Sequence, residues 1–357
     1  MSYFLAFLGF AALIILHEAG HFAAAKAVGM RVERFSLFFG PMVLKRRLGE
    51  TEYGVGVIPL GGYVKISGMN PEESIPPEVA PRAYYNQPVW KRVVVILAGP
   101  AVNLLIAFAI ICGLFLADGQ IVASTKVAGI ERGTPASKVL KLGDRIVSVD
   151  GVRGGEQALR NEIGRHHCAG QQVGGCLAAT PVTLVVRRQG RLVTLRVRPR
   201  YSAAAHRPLV GFEFGSTTVP VSASHAASLT VTNMWGVTKQ TVSAIVRIFQ
   251  PRERSQLHGV VGVYTYTQEA VSQSPTLALD ILALISLSLA IINLFPFLPL
   301  DGGHVFWALA EKVRGKRIPF SVMERAGFVG FALILMLFVI GLSNDVSTLS
   351  GKGFTLR

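Results

Sequence analysis

Charge is scarce in this chain. Only 16% of its 357 residues are Asp, Glu, Lys or Arg, against about 25% in a soluble domain. Half are apolar, and the mean hydropathy is +0.45. These values exclude an ordinary water-soluble enzyme and an intrinsically disordered chain, which needs low hydrophobicity. Acidic residues are the scarcer sign, 21 against 36 basic, for a net charge of +15. Such a balance suits nucleic acid or the anionic face of a membrane, and the apolar excess selects the membrane. Three cysteines exclude a disulfide scaffold and leave room for one bridge.

The apolar residues are concentrated in four stretches without Asp, Glu, Lys or Arg: Tyr3–Leu16, Val93–Ala117, Ile281–Leu300 and Ala326–Asn344. The last three reach the roughly 20 residues that span a bilayer. The first is shorter, but apolar residues resume after Glu18 as far as Met30. It has no basic leader and no small-x-small cleavage site, so it reads as a retained helix rather than a signal peptide. The expected fold class is a polytopic α-helical membrane protein. Its four transmembrane helices are expected near 3–29, 93–117, 280–300 and 326–343, with a C-terminal tail from 344 to 357.

The connecting loops suggest an orientation. Residues 31–92 hold nine Lys/Arg and residues 302–325 hold five, so both are expected on the cytoplasmic side. The 118–279 loop is also basic, but long domains translocate largely regardless of charge. Both termini and that long loop are therefore expected outside, with no nucleic-acid partner.

Residues 31–69 alternate in strand fashion, with turns at Gly40-Pro41, Pro59 and Gly61-Gly62. They predict a membrane-associated β hairpin or sheet, followed by a Pro- and Glu-rich loop over 70–81. The outer loop carries short strands and turns from 122 to 200, with Gln189-Gly190 closing a hairpin. Residues 201–222 read as linker, and 223–249 as an amphipathic helix carrying Leu229, Met234, Val237 and Ile245.

Chemistry enters at His17-Glu-Ala-Gly-His21. On a helix, positions i and i+4 share a face, so both imidazoles can hold one Zn²⁺ with Glu18 beside the metal's water. Zinc lowers that water's pKa towards ~7; Glu18 can take its proton and pass it to the leaving amine. Two His and a Glu inside an apolar segment are costly unless paired or ligated; the alternative is a hydrogen-bonded cluster between helices. A catalytic zinc takes a third protein ligand, for which Asp301 is the candidate. It closes the run Asn293-Leu-Phe-Pro-Phe-Leu-Pro-Leu-Asp301, where Pro296 and Pro299 break the helix and Gly302-Gly303 permits close approach. A helix cap is the plainer role for Asp301. With the N-terminus outside, His17 lies ~22 Å into the first helix and Asp301 at the inner end of the third. Both then fall in the cytoplasmic half of the membrane, and the second and fourth apolar stretches offer no carboxylate or histidine.

These segments, with Phe39-Gly-Pro41, Pro59-Leu-Gly-Gly-Tyr-Val-Lys65, Val89-Trp-Lys-Arg92, Ala98-Gly-Pro-Ala-Val-Asn103 and Leu300-Asp-Gly-Gly-His304, resemble the site-2 protease family of intramembrane zinc metalloproteases. The likeness is to the bacterial branch of regulator-of-sigma-E proteases and runs through nearly the whole chain. It implies zinc at His17, His21 and Asp301, with Glu18 as general base. It implies that Gly61, Gly62 and Tyr63 belong to a membrane-dipping hairpin that presents an edge to substrate, and that Asn293 and Pro296 help hold the unwound substrate segment. The outer domain resembles a PDZ domain through Gly133-Thr-Pro-Ala136 and Gly143-Asp-Arg-Ile146, with room for one copy where some relatives carry two. Implied partners are the lipid bilayer, single-pass substrates such as anti-sigma factors or remnant signal peptides, and an upstream site-1 protease that cuts the same substrate first. The implied location is the bacterial inner membrane. Rival readings are a non-catalytic adaptor using its PDZ domain and a zinc-dependent transporter, against which Glu18 argues.

Cys168 and Cys176 flank a short segment on the expected outer side, where a small surface disulfide can form. Metal binding with His166 and His167 is the alternative. Cys112 reads as packing, His304 as a structural hydrogen-bonding residue, and His206, His225 and His258 as unremarkable.

Overall fold

The computed structural model describes residues 2–70, 72–247, 250 and 259–350; His258 lies outside the described residues. The chain divides into two compact units: Met1–Phe115 with Ala223–Arg357, and Leu116–Ser222.

The first unit is built on helices α1 (Ser2–Ala27), α2 (Val89–Asp118), α4 (Ala223–Val246), α5 (Val260–Gln273), α6 (Pro275–Asn293), α7 (Asp301–Arg314) and α8 (Phe320–Ser350). Among the described residues, four spans are long and apolar enough to cross a membrane: Phe4–Ala27, Val89–Asp118, Pro275–Asn293 and Phe320–Thr348. Their outward faces carry large apolar side chains such as Phe4, Leu105, Phe328 and Phe331, which water would disfavour and lipid accepts. The four expected helices are therefore present, with altered ends. The second begins at Val89 and takes in Trp90, Lys91 and Arg92. The fourth runs from Phe320 to Ser350, absorbing the first part of the expected tail. The third starts at Pro275 and stops at Asn293, because Pro296 and Pro299 remove helical donors from the next turn. Asp301 then opens a separate helix, α7, through the region expected to be a loop.

α5 lies within the 201–279 region, where no helix was expected beyond 249. Its N-terminus is held by the buried Asp345 of α8, whose carboxylate accepts the amides of Gly259 (3.0 Å) and Gly262 (2.9 Å). This carboxylate meets donors that the helix leaves open and favours its positive end.

Between α1 and α2 lie strands β1 (Val32–Leu48) and β2 (Thr51–Ile66). Both bend midway, so Phe35 pairs with Tyr53 on one side and Val64 on the other. The hairpin thus folds into a small antiparallel sheet. Its last segment, Gly62–Ile66, is an edge paired only to β1 among the described residues. Ala25, Met30, Val32, Ile66, Tyr84, Val95 and Ile96 form one buried cluster joining α1, the sheet and α2.

The second unit has strands β3 (Gln120–Ile130), β4 (Arg145–Val149), β5 (Val182–Arg188), β6 (Arg191–Val197) and β9 (Phe212–Val219) in the order β6-β5-β4-β3-β9. Helix α3 (Glu156–Gly164) covers the sheet, and β7 (Arg200–Ser202) pairs with β8 (Arg207–Leu209). Gln189 and Gly190 both have positive φ at the expected β5–β6 turn. Residues 201–222 are not a linker. β9 pairs along β3 from Gln120↔Val219 to Ile130↔Phe212, and Val210 enters the core with Leu159, Ile163, Leu184 and Val186.

Candidate metal and catalytic site

The site begins with helical spacing. His17 and His21 stand one turn apart on α1, with ring centroids 4.9 Å apart at 83°, and they are 7% and 6% exposed. The break after α6 delivers Asp301 on the first residue of α7. Gly302 and Gly303 fit this turn because a β-carbon on either would collide with the backbone of Leu294–Leu298. The N-cap of α7 is Leu300, and the Asp301 carboxylate, one residue further on, points to the histidines.

Three atoms converge. His17 Nε2 lies 3.3 Å from His21 Nε2, and Asp301 Oδ2 lies 3.3 Å and 3.4 Å from those nitrogens. Ligands placed tetrahedrally at ~2.0–2.1 Å from zinc are separated by about 3.3–3.4 Å. Two observations support a cation site over a hydrogen-bonded cluster. Asp301 Oδ2 is buried and receives no well-directed hydrogen bond from either ring. His21 Nδ1 lies 2.9 Å from the Val95 carbonyl; a carbonyl only accepts, so Nδ1 carries the proton and Nε2 of the neutral ring is a bare donor atom. The residues fit zinc.

α2 shapes this site without entering the triangle. A β-carbon at Gly99 would strike the His21 ring, and one at Gly20 would sit 2.6 Å from the Ala98 carbonyl oxygen. The two glycines let α1 and α2 touch where the histidines lie. Arg92 of α2, 4% exposed, donates to Glu311 of α7 at 2.9 Å and lies beside the Tyr84 and Tyr85 rings. This pair ties the helix that buttresses His21 to the one that carries Asp301.

Glu18 stands next to the sheet edge. A β-carbon at Gly62 would lie 3.0 Å from Glu18 Cγ. Tyr63 stacks on Phe39 at 5.6 Å and accepts from Arg34 Nη1 at 2.9 Å; Gly61 takes a positive φ of 123° against Phe39.

The sequence pattern of peptidase family M50 matches residues 5–337, a segment that includes all three converging residues. The chain belongs to peptidase family M50. It is an integral membrane metalloprotease, and its cofactor is zinc. It is similar to relatives whose names place them among zinc metalloproteases. A Brucella suis protein is 30% identical over 359 residues, covering 94% of this chain and 92% of the relative. A Campylobacter jejuni protein is 28% identical over 354 residues (95% and 92%), and one from Clostridium acetobutylicum is 29% identical over 353 residues (97% and 98%).

Other residues singled out in this M50 chain fall around the triangle or away from it. Asn293 is the last residue of α6, and Pro296 is exposed in the break that follows; neither belongs to the triangle. His304 lines a small gap with Arg92, Tyr84, Trp307 and Glu311. Cys168 and Cys176 are bonded, with Cα atoms 6.2 Å apart. Neighbouring His166 bonds Asp150 (2.8 Å) and Thr180 (2.9 Å), so these histidines and cysteines do not converge on a common point. Sequence reasoning assigned no role to Gly99, Val95 or Asn103. Asn103 carried the one available signal, as the only carboxamide in the Val93–Ala117 stretch.

Proposed function

We propose that this M50 protein is a site-2-type intramembrane endopeptidase, which hydrolyses peptide bonds in or near the membrane segment of single-pass proteins. The observation that carries the reading is the convergence of two buried His nitrogens and an Asp oxygen at zinc-ligand spacing, with both histidines inside a membrane-spanning helix. His17, His21 and Asp301 would hold the metal. Bound zinc supplies Lewis-acid polarisation of the scissile carbonyl. Glu18 is the general base, taking a proton from the attacking water and delivering it to the departing amine.

A helical substrate hides its carbonyls in its own hydrogen bonds and must unwind before cleavage. The free edge Gly62–Ile66, against Glu18, can pair with the unwound backbone by strand addition. Gly61, Gly62 and Tyr63 shape that edge, and Asn293 and Pro296 border the break where the segment would lie. We read the 116–222 unit as a single PDZ domain outside the membrane. A groove of about 480 Å³ between α3 and residues 207–214 gives it room for a peptide strand. Anti-sigma factors or remnant signal peptides already cut by a first protease are the substrates this reading favours, in a bacterial inner membrane with the site on the cytoplasmic side.

The test is cleavage of a single-pass substrate by the purified chain, with Glu18→Gln, His21→Ala and a chelator as controls. Glu18→Gln is expected to keep zinc and lose about 10²–10⁴-fold in rate. Cleavage surviving Glu18→Gln would overturn the mechanism, and a wild type inert on every helical substrate would favour a non-catalytic adaptor.

A further inference from the structure

The two histidines of the triangle differ in what holds their outer nitrogens. His21 Nδ1 donates to the Val95 carbonyl. His17 Nδ1 lies 3.1 Å from Nδ2 of Asn103. Asn103 is fully buried, and its Oδ1 has no hydrogen-bond partner. Its backbone carbonyl accepts from Ser286 Oγ of α6 at 2.9 Å, so the residue sits at a fixed crossing of α2 and α6.

That arrangement poses a question of proton placement. If the Asn103 NH₂ donates to His17 Nδ1, the ring must carry its proton on Nε2, the nitrogen aimed at His21 and Asp301. Nε2 could not then be a ligand. A ligating Nε2 requires the proton on Nδ1, and that N–H needs an acceptor. The carboxamide provides one if rotated half a turn, since its oxygen and nitrogen occupy nearly equivalent volumes. Among the described residues, His17 is the only hydrogen-bond partner of this side chain, so His17 alone decides which end faces it.

We infer that Asn103 is the positioning residue of the metal site: its Oδ1 accepts from His17 Nδ1–H and holds the ring in the tautomer that presents Nε2 to zinc. This assignment rests on the reading of His17 as a ligand. It gives the two histidines matched support from one helix, a backbone carbonyl from Val95 and a side-chain carbonyl from Asn103, eight positions apart on α2. A merely space-filling role would need neither an acceptor nor a carboxamide in a stretch, Val93–Ala117, that otherwise holds no amide, hydroxyl or charged side chain.

The full chain in detergent provides the test. Zinc affinity is read by competition with a chromogenic chelator, ligand geometry by the visible spectrum of the Co²⁺-substituted protein, and fold by melting of the metal-free protein. Asn103→Leu keeps the branched heavy-atom shape without an acceptor and should weaken zinc about 10- to 100-fold and shift the Co²⁺ bands. Asn103→Asp keeps the acceptor and should stay within about threefold of wild type on the same scale. Ser286→Ala, which removes only the helix-crossing bond, should leave affinity unchanged. If Asn103→Leu does not fold, Asn103→Ala takes its place, because its methyl group cannot reach His17. Equal affinities for wild type and the Leu or Ala variant would overturn the inference, as would equal weakening by the Leu and Asp variants. A separate failure identifies the underlying reading: zinc affinity unaffected by His17→Ala would remove His17 from the ligand set altogether.

Discussion

His21 rests against Gly99 so closely that a single added methyl group would occupy the space of its ring. The ring also donates to Val95, one turn earlier on the same helix. α2 is therefore a wall that sets both the position and the tautomer of a proposed zinc ligand.

Gly99→Ala should push His21 off its bond to Val95. We expect zinc affinity to fall by about 10-fold or more, with a smaller loss of fold stability of about 1–3 kcal/mol from overpacking. Chelator competition and melting of the metal-free protein separate the two effects. Unchanged affinity would show that α1 can retreat from α2 without cost.

Gly62→Ala addresses the other side of the site. The new methyl group would press on Glu18 Cγ and on the Ser36 carbonyl, both at 3.0 Å. Displacing a general base by a fraction of an ångström should lower kcat by about 10-fold or more and leave zinc content untouched. A change in zinc content with kcat preserved would contradict the placement of Glu18.

The Arg92–Glu311 pair is nearly dry, with side chains 5% and 15% exposed. Glu311→Gln leaves a buried guanidinium without its counter-charge and should destabilise by about 3–5 kcal/mol. The double change Arg92→Met with Glu311→Leu should be milder, because nothing charged remains inside. Thermal unfolding of the two variants gives the comparison, and a double variant weaker than the single one would reverse the argument.

In the second unit, Asp144 accepts from Arg188 Nε and Nη2 at 2.8 and 2.7 Å and from the Lys141 amide at 2.8 Å. Arg188 foremost holds its carboxyl below the ordinary range, against the opposing effect of burial. A depressed carboxylate stabilises the fold above its unfolded value of about 3.9, and that stabilisation is lost as pH falls through the lower folded value. The protection of the β4 amides, their hydrogen exchange measured against the free-peptide rate at the same pH, should therefore fall below about pH 4. Asp144→Asn should exchange faster at neutral pH and respond less to acid. The same acid response in both proteins would clear this pair of responsibility.

Much of this architecture can be read from order and periodicity. The apolar runs located four spanning helices, the i, i+4 spacing put His17 and His21 on one face, and Pro296 with Pro299 marked the break before Asp301. What escaped depends on partners distant in sequence. β9 is a strand because β3 offers a matching edge about ninety residues earlier, so its own Gly-Ser-Thr-Thr looked like linker. α5 is a helix whose first amides are met by Asp345 of α8. The importance of Gly99 is visible only when α1 is laid against it, since an isolated glycine in an apolar helix reads as a tolerated weakness.

The glycine contact at the α1–α2 crossing also bears on descent. A gene copy could keep His-Glu-x-x-His and the aspartate after the broken helix, and so pass any inspection of ligands, while a β-carbon at the Gly99 position had already turned its second metal-binding ring aside. Lapsed proteases of this kind would be recognised on the helix that contributes no ligand, one side chain from the metal.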